Sequence, residues 1–178
     1  MTKLEDQSMH KKEIISDWFY RYNNDIYNFL IYYTGKTDME DLVQEVFIKA
    51  LKRLHQFDGR SSPKTWLFTI ARNTAIDEMR KQKRQKSEET VELNDRIVMI
   101  DEQSPIDILL EDESKRELYK LVRSLKRNYR DVIILRGIEQ LTIKETATIL
   151  NWSEDKVKST YSRALKALRL RRGGAVNE

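Results

Sequence analysis

Apolar residues recur at helical spacing along most of this chain, and the places where the recurrence stops divide it into elements. From Ile14 to Thr34, the residues Ile15, Trp18, Phe19, Tyr22, Ile26, Phe29, Leu30 and Tyr33 follow a helical period that Gly35 ends. Asp38 is expected to cap the next helix. Its apolar face, Leu42, Val43, Val46, Phe47, Ala50, Leu51 and Leu54, continues to a break near Phe57-Asp58-Gly59. A third helix opens at Pro63, with Ser61 or Ser62 as its cap, and turns Leu67, Ile70, Ala71 and Thr74 towards a core. Residues 87 to 103 show no convincing period. Ser104-Pro105 then opens a long helix whose buried side is expected at Ile106, Leu109, Leu110, Leu118, Leu121, Val122 and Leu125. A further helix is expected around Tyr129 to Arg136, stopped by Gly137.

The last stretch, residues 141 to 169, reads as two helices across a tight turn. Leu141, Ile143, Ala147, Ile149 and Leu150 form one apolar face, with small Ala147 permitting close packing, and Asn151-Trp152 breaks the pattern. Ser153 is placed to cap the second helix, while Glu154 and Asp155 favour the positive end of its dipole. Val157, Tyr161, Ala164, Leu165 and Leu168 bury one side of that helix. The other side carries Lys156, Lys158, Ser159, Thr160, Ser162, Arg163 and Lys166, donors suited to phosphates and to base edges in a major groove. Helix, turn, cap and cationic helix in this order point to a helix-turn-helix DNA reader.

Composition narrows the class. Strand-like alternation is sustained nowhere, and only five Gly and two Pro interrupt 178 residues, so an all-α protein is expected. The chain has no Cys, which excludes disulfides and thiolate sites and fits a reducing cytoplasm. No apolar run approaches the roughly 20 residues of a membrane span, and the start MTKLEDQSMHKKE lacks the apolar core of a signal peptide. A cytoplasmic location is therefore expected.

The net charge of +4 is unevenly spread. Residues 1–86 carry 16 basic and 12 acidic side chains, residues 87–103 carry 1 and 6, and residues 104–178 carry 16 and 11. Two basic blocks on an acidic tether suggest two polyanion-binding domains, because a connection between them should not itself stick to the polyanion. The expected architecture is two small helical domains, 1–86 and 104–178, joined by a flexible acidic linker at 87–103.

Two further surfaces stand out. On the second helix, Asp41, Gln44, Glu45, Ile48 and Lys52 lie opposite the apolar face. An Ile on an otherwise polar side suits a protein-binding patch with a polar rim, although a single exposed Ile is also ordinary. On the third helix, Lys64, Phe68, Arg72, Asn73, Ile76, Arg80, Lys81, Lys83 and Arg84 cannot all face the core. Cations interleaved with aromatics serve single-stranded DNA: the cation takes the phosphate and the ring stacks on a base. Trp66 is expected in the core.

The order DLVQEVFIKAL (41 to 51), FDGRSSPKTWLFTIARNTAIDEMRK (57 to 81), a short linker and LTIKETATILNWSEDKVKSTYSRALKALR (141 to 169) resembles bacterial sigma factors of the extracytoplasmic-function (ECF) type, in the sigma-70 family. The resemblance covers nearly the whole chain. It implies an alternative sigma factor that binds RNA polymerase core, directs it to promoters and assists melting, with 1–86 as sigma domain 2 and 104–178 as sigma domain 4. It makes Asp41, Gln44, Glu45 and Ile48 the contact with the polymerase clamp coiled coil. The polymerase flap is a further implied partner. The loop from Phe57 to Ser62, including Asp58, Arg60 and Ser61, would pocket a base flipped from the non-template strand, while Arg72, Asn73, Ile76 and Arg80 line minus-10 DNA. Such flipping costs a few kcal/mol per unstacked step, which binding must offset. Lys156, Lys158, Ser159, Ser162, Arg163 and Lys166 match positions that contact minus-35 bases and phosphates. The family usually places a smaller apolar residue at Trp152, so repacking of the turn is expected. Family analogy also suggests an inhibitory anti-sigma partner, including a membrane-anchored one.

Catalysis finds little support. His10 and His55 are far apart in sequence, no Gly-rich phosphate loop occurs, and Asp38, Glu40 and Asp41 are explained by a helix start. No enzymatic activity, metal or cofactor is expected. A stand-alone helix-turn-helix regulator on duplex operator DNA is the alternative, and an adaptor with basic faces for acidic proteins is a third reading.

Overall fold

The computed structural model describes residues 3–86 and 113–174, and every regular element among them is helical. The first unit contains α1 (Lys3–Thr34), α2 (Glu40–Arg53), a 3-10 turn (Leu54–Gln56) and α3 (Pro63–Lys86). The second contains α4 (Glu113–Ser124), α5 (Arg127–Val132), a π turn (Ile133–Ile138), α6 (Ile143–Leu150) and α7 (Glu154–Gly174). The two helical units expected from the sequence are present. The acidic segment 87–103 and the proposed start at Ser104-Pro105, with Ile106, Leu109 and Leu110, lie outside the described residues.

In the first unit each helix contributes its apolar stripe to one core, with Ile26, Phe29, Leu30, Val46, Ala50, Leu67, Phe68 and Ala71 fully buried. Phe68 corrects the sequence reading, which placed it on the polar side of α3. Its ring lies 5.1 Å from that of Phe29, and Lys64 Nζ sits 5.6 Å from its centroid, so the cation covers a core ring. Gly35 terminates α1 with a φ of 79°, in the left-handed region that its missing Cβ permits. Asp38 is not the cap of α2: Met39 holds that position, without a side-chain cap bond. The Met39 side chain is drawn into the core, where its sulfur receives a hydrogen bond from Thr34, leaving Asp38 one residue too early to cap. Ser62 caps α3, accepting from the Thr65 amide at 3.1 Å.

In the second unit Val122, Leu125, Val132, Ile134, Leu135, Val157 and Ala164 are buried. Leu118 departs from expectation and is 41% exposed. The helix expected to run to Arg136 instead passes into the π turn, marked by the bond from the Glu139 amide to the Ile134 carbonyl at 2.9 Å. This wider turn returns the chain towards α6. Thr142 and Glu145 form a reciprocal capping box on α6. Asn151 closes α6 in the left-handed conformation, φ 55° and ψ 47°, which Asn tolerates better than most residues. Ser153 then accepts from the Lys156 amide at 3.2 Å, as its position predicts for a cap of α7.

The two units pack on each other. One contiguous apolar cluster runs from Ile15 and Phe29 through Ile70 and Ile76 to Val122, Ile134 and Ile149. Polar contacts rim this junction: Arg72 with Asp131, Arg123 with the Tyr33 carbonyl at 2.9 Å, and Thr65 with Glu145 at 3.3 Å.

Candidate polymerase and nucleic-acid interfaces

The outward face of α2 exists as the helical step predicts. Leu42, Val43, Val46, Phe47 and Ala50 are buried, while Asp41, Gln44, Glu45 and Ile48 are exposed, Ile48 by 51%. Glu45 Oε1 is held at 2.7 Å by Lys49, whose ammonium also reaches Thr74 of α3 at 3.2 Å. The face is therefore partly preset, an apolar knob among carboxylates and an amide.

The loop after α2 is built on aromatics. Phe57 meets Trp18 edge-on at 5.1 Å and lies 5.4 Å from Trp66, so its ring belongs to the wall of the unit. Trp66 packs against the core as expected. Beyond Phe57 the chain turns through Gly59, whose φ is 73°. Asp58 accepts from the Arg60 amide at 3.0 Å and pairs with its guanidinium at 3.2 Å. Arg60 projects into solvent and Ser61 is half-buried, leaving a short polar rim against an aromatic floor.

The four expected DNA residues of α3 divide in two. Asn73 and Arg80 are exposed. Arg72 and Ile76 are not: Ile76 is buried in the shared cluster, and Arg72 Nη2 lies 2.8 Å from Asp131 Oδ2, with side-chain exposures of 15% and 1%. Burial works against the Arg72 charge, but Asp131 and Tyr33 beside it outweigh that and raise its pKa. Tyr33 is pushed up to about 12, by its burial first and by the Asp131 carboxylate second. Arg130, also buried, donates to the Leu125 carbonyl at 3.2 Å, and burial lowers its pKa.

In α7, Val157, Thr160 and Ala164 are buried, whereas Lys156, Lys158, Ser159, Ser162, Arg163 and Lys166 are all exposed. Thr160 was grouped with the outward donors by sequence. Its burial removes it from that face without disturbing the other six. Arg163 folds onto the Ser159 carbonyl at 3.1 Å, and Lys158 pairs with Asp155 at 3.5 Å, both on the surface. Trp152 lies half-buried against the core, and Lys156 Nζ sits 4.2 Å from its ring centroid, fixing that cation at the start of the helix. Arg136, Val157, Lys158, Tyr161, Leu165 and Lys166 border a groove of about 340 Å³ along the same helix.

A helical unit that exposes Ile48 among polar residues, joined in one chain to a helix-turn-helix with a cationic second helix, has the make-up of a DNA-binding transcription factor. The sequence is matched by two family models, Sigma-70 region 2 over residues 18–85 and Sigma-70, region 4 over residues 115–168. The chain is 44% identical over 151 residues to the ECF RNA polymerase sigma factor SigX of Bacillus subtilis, covering 83% of this chain and 78% of that protein. It is 33% identical to the ECF RNA polymerase sigma factor SigM of the same organism, over 92% of this chain and 98% of that one. Among solved structures, the sigma factor RpoE in complex with the anti-sigma factor NepR, from Bartonella quintana, superposes with a TM-score of 0.66 at 29% identity, covering 86% of this chain and 93% of that one. The chain belongs to the sigma-70 family of RNA polymerase sigma factors and, within it, to the ECF group.

Its function follows from that membership: it is an alternative sigma factor that directs RNA polymerase to promoters. The free-standing operator-binding reading is not favoured. Among the described residues no helix is long and apolar enough to cross a membrane.

Proposed function

We propose that the three surfaces divide the work of initiation. Asp41, Gln44, Glu45 and Ile48 of α2 seat the polymerase clamp coiled coil. The loop Phe57, Asp58, Arg60 and Ser61, with Arg72, Asn73, Ile76 and Arg80 of α3, takes the minus-10 strand. Lys156, Lys158, Ser159, Ser162, Arg163 and Lys166 of α7 read and clamp the minus-35 duplex. The corresponding domains are 1–86 and 104–178, with 87–103 as the connection.

The observation that carries this reading is the partition of α7. All six expected contact residues are exposed while Val157, Thr160 and Ala164 anchor the helix from behind. Lys and Arg on such a helix supply counterion-releasing phosphate contacts, and the hydroxyls and Arg163 supply donors for base edges. The loop offers an aromatic floor, Phe57 against Trp18 and Trp66, beside a polar rim, a combination suited to an unstacked base.

The protein itself performs no covalent chemistry in this reading; polymerisation belongs to its partner, and its place of work is the cytoplasm. An anti-sigma factor is a further proposed partner, supported by the RpoE–NepR complex to which the chain is similar. Footprinting of the reconstituted holoenzyme tests the assignment. Lys158→Ala and Arg163→Ala should weaken protection upstream, around minus-35, and Arg80→Ala should reduce permanganate reactivity of unpaired thymines around minus-10. Wild-type footprints in all three variants would refute it.

A further inference from the structure

Among the expected DNA-contacting cations, Arg60 and Lys158 pair with neighbouring carboxylates at the surface, whereas the charge of Arg72 is taken away from solvent by the other unit. The Arg72 guanidinium is buried against Asp131, a residue of the other unit 59 positions further along the chain, and the Asp131 side chain is only 1% exposed. The surroundings extend the block. Thr65, on the same helix, is covered and bonded to Glu145 of α6. Ile76, one turn after Arg72, is buried in the cluster shared by both units. At the other end of the junction Gly35 leaves room for α4, because a Cβ there would stand 2.6 Å from the Tyr119 hydroxyl and 2.9 Å from Arg123 Nη2. Arg123 uses that room to reach the Tyr33 carbonyl.

We infer that Asp131 is an internal surrogate for a DNA phosphate, whose carboxylate holds Arg72 and keeps the helix-turn-helix unit closed over the minus-10 face of α3 until single-stranded DNA displaces it. The inference rests on the reading that Arg72 contacts the minus-10 strand. Asp131 meets the guanidinium through one oxygen, Oδ2 to Arg72 Nη2, and leaves Arg72 Nε and its own Oδ1 without a hydrogen-bond partner, whereas a phosphodiester can offer two oxygens to the guanidinium fork. Closure buries Arg72, and without the Asp131 carboxylate beside it the closed form would hold an unpaired buried guanidinium, which is strongly disfavoured. Once a phosphate takes Arg72, the same argument turns against closure, since Asp131 would then be the unpaired charge. DNA binding and domain closure are thereby mutually exclusive, and each opposes the other by the same factor. A free sigma factor built this way binds stray single strands weakly.

The absence of native cysteine makes the test direct. Spin labels on Lys52→Cys and Asn128→Cys, exposed positions on the two units, report their separation in the full chain. A fluorescent mixed-sequence single-stranded oligodeoxynucleotide reports affinity by anisotropy. The labelled but otherwise unchanged chain should show one short, narrow distance that lengthens as the oligonucleotide is added. Asp131→Asn should be open without DNA and bind the strand at least tenfold more tightly. A distance that ignores the oligonucleotide, or an Asp131→Asn chain that stays closed or gains less than twofold in affinity, would overturn the inference. The titration of the chain with Asp131 intact decides the matter even if the variant folds poorly. Failure of the underlying reading is separable: Arg72→Gln would then leave promoter melting by the holoenzyme unchanged, whatever the distances do.

Discussion

Replacing Ile48 by Asp separates partner binding from folding. Ile48 is 51% exposed in the free chain and belongs to no buried cluster, so the substitution removes little from the fold. Ile and Asp differ by only a few tenths of a kcal/mol in helix propensity. A new carboxylate at 48 repels Glu45 one turn before it and attracts Lys52 one turn after, and such pairs nearly cancel at a few tenths each. Stability should therefore change by no more than about 0.5 kcal/mol. Binding is another matter. Burying the exposed half of an Ile under a partner is worth roughly 1 kcal/mol, half the usual value for a full side chain. An unpaired carboxylate in its place adds a desolvation cost of a few kcal/mol, as breaking a buried charge pair does. The sum, about 3 kcal/mol or more, corresponds to at least a hundredfold weaker association at 1.4 kcal/mol per tenfold. The assay is competition for core polymerase against labelled unmodified chain, with a thermal melt of each chain alone. Equal melting and equal affinity within threefold would refute the assignment of this face, and a lowered melting temperature would refute the claim that Ile48 is peripheral to the fold.

Other outcomes follow from the same structure. Glu139 sits at the junction facing Tyr32 and Asp25 of α1 and Lys64 of α3. Its pKa is raised to about 7, by burial first, with Lys64 opposing and Asp25 adding to the rise. A folded-state pKa above the unfolded value means the native state holds the proton longer, so this contribution is complete below about pH 4.5 and lost as pH rises through 7. Chemical denaturation of Glu139→Gln should show a flatter stability between those pH values than the unmodified chain. Arg163→Ala should lower the dependence of promoter binding on salt by about one unit of log–log slope if it contacts a phosphate, and change base preference at one position if it reads a base. Phe68→Ala should cost about 3–5 kcal/mol because the ring is fully buried between α1 and α3; a denaturant midpoint close to that of the unmodified chain would contradict its place in the core.

Much of the fold was legible in the periodicity of single helices. The apolar stripes of α1, α2 and α7 and the caps at Ser62 and Ser153 depend on local spacing, which sequence records directly. The errors were of two kinds. Asp38 looked like a cap, but Met39 had the stronger claim because its side chain could be buried beneath Thr34. Conversely the capping box on α6 was written in Thr142-Ile-Lys-Glu145, and that signal was available. The junction between units was not legible. Arg72, Asp131, Thr65 and Glu145 each pass for surface residues of their own helices, and the contacts join positions 59 and 80 apart. The same blindness explains Ile76 and Thr160: helical phase placed each on an outward face, and packing by a second element decides whether such a face stays outward.

The surfaces could be read as classes of contact because charge and exposure fix chemistry before they fix identity. A cationic helix face accepts phosphate whatever the sequence beneath it, so the exposed side of α7 reads as a nucleic-acid contact without a promoter in hand. The expectation for α3 was less complete, since the spacing of one helix carries no sign that Asp131, 59 positions further on, pairs with Arg72.

The most direct measurement is run-off transcription with purified core polymerase on a library of genomic fragments from the source cell, with and without this chain. Discrete transcripts that appear only when the chain is present, each starting a fixed distance downstream of shared minus-35 and minus-10 sequences, are the predicted result. A chain that binds duplex DNA as a homodimer, while adding no specific start to what core polymerase makes alone, would contradict the account.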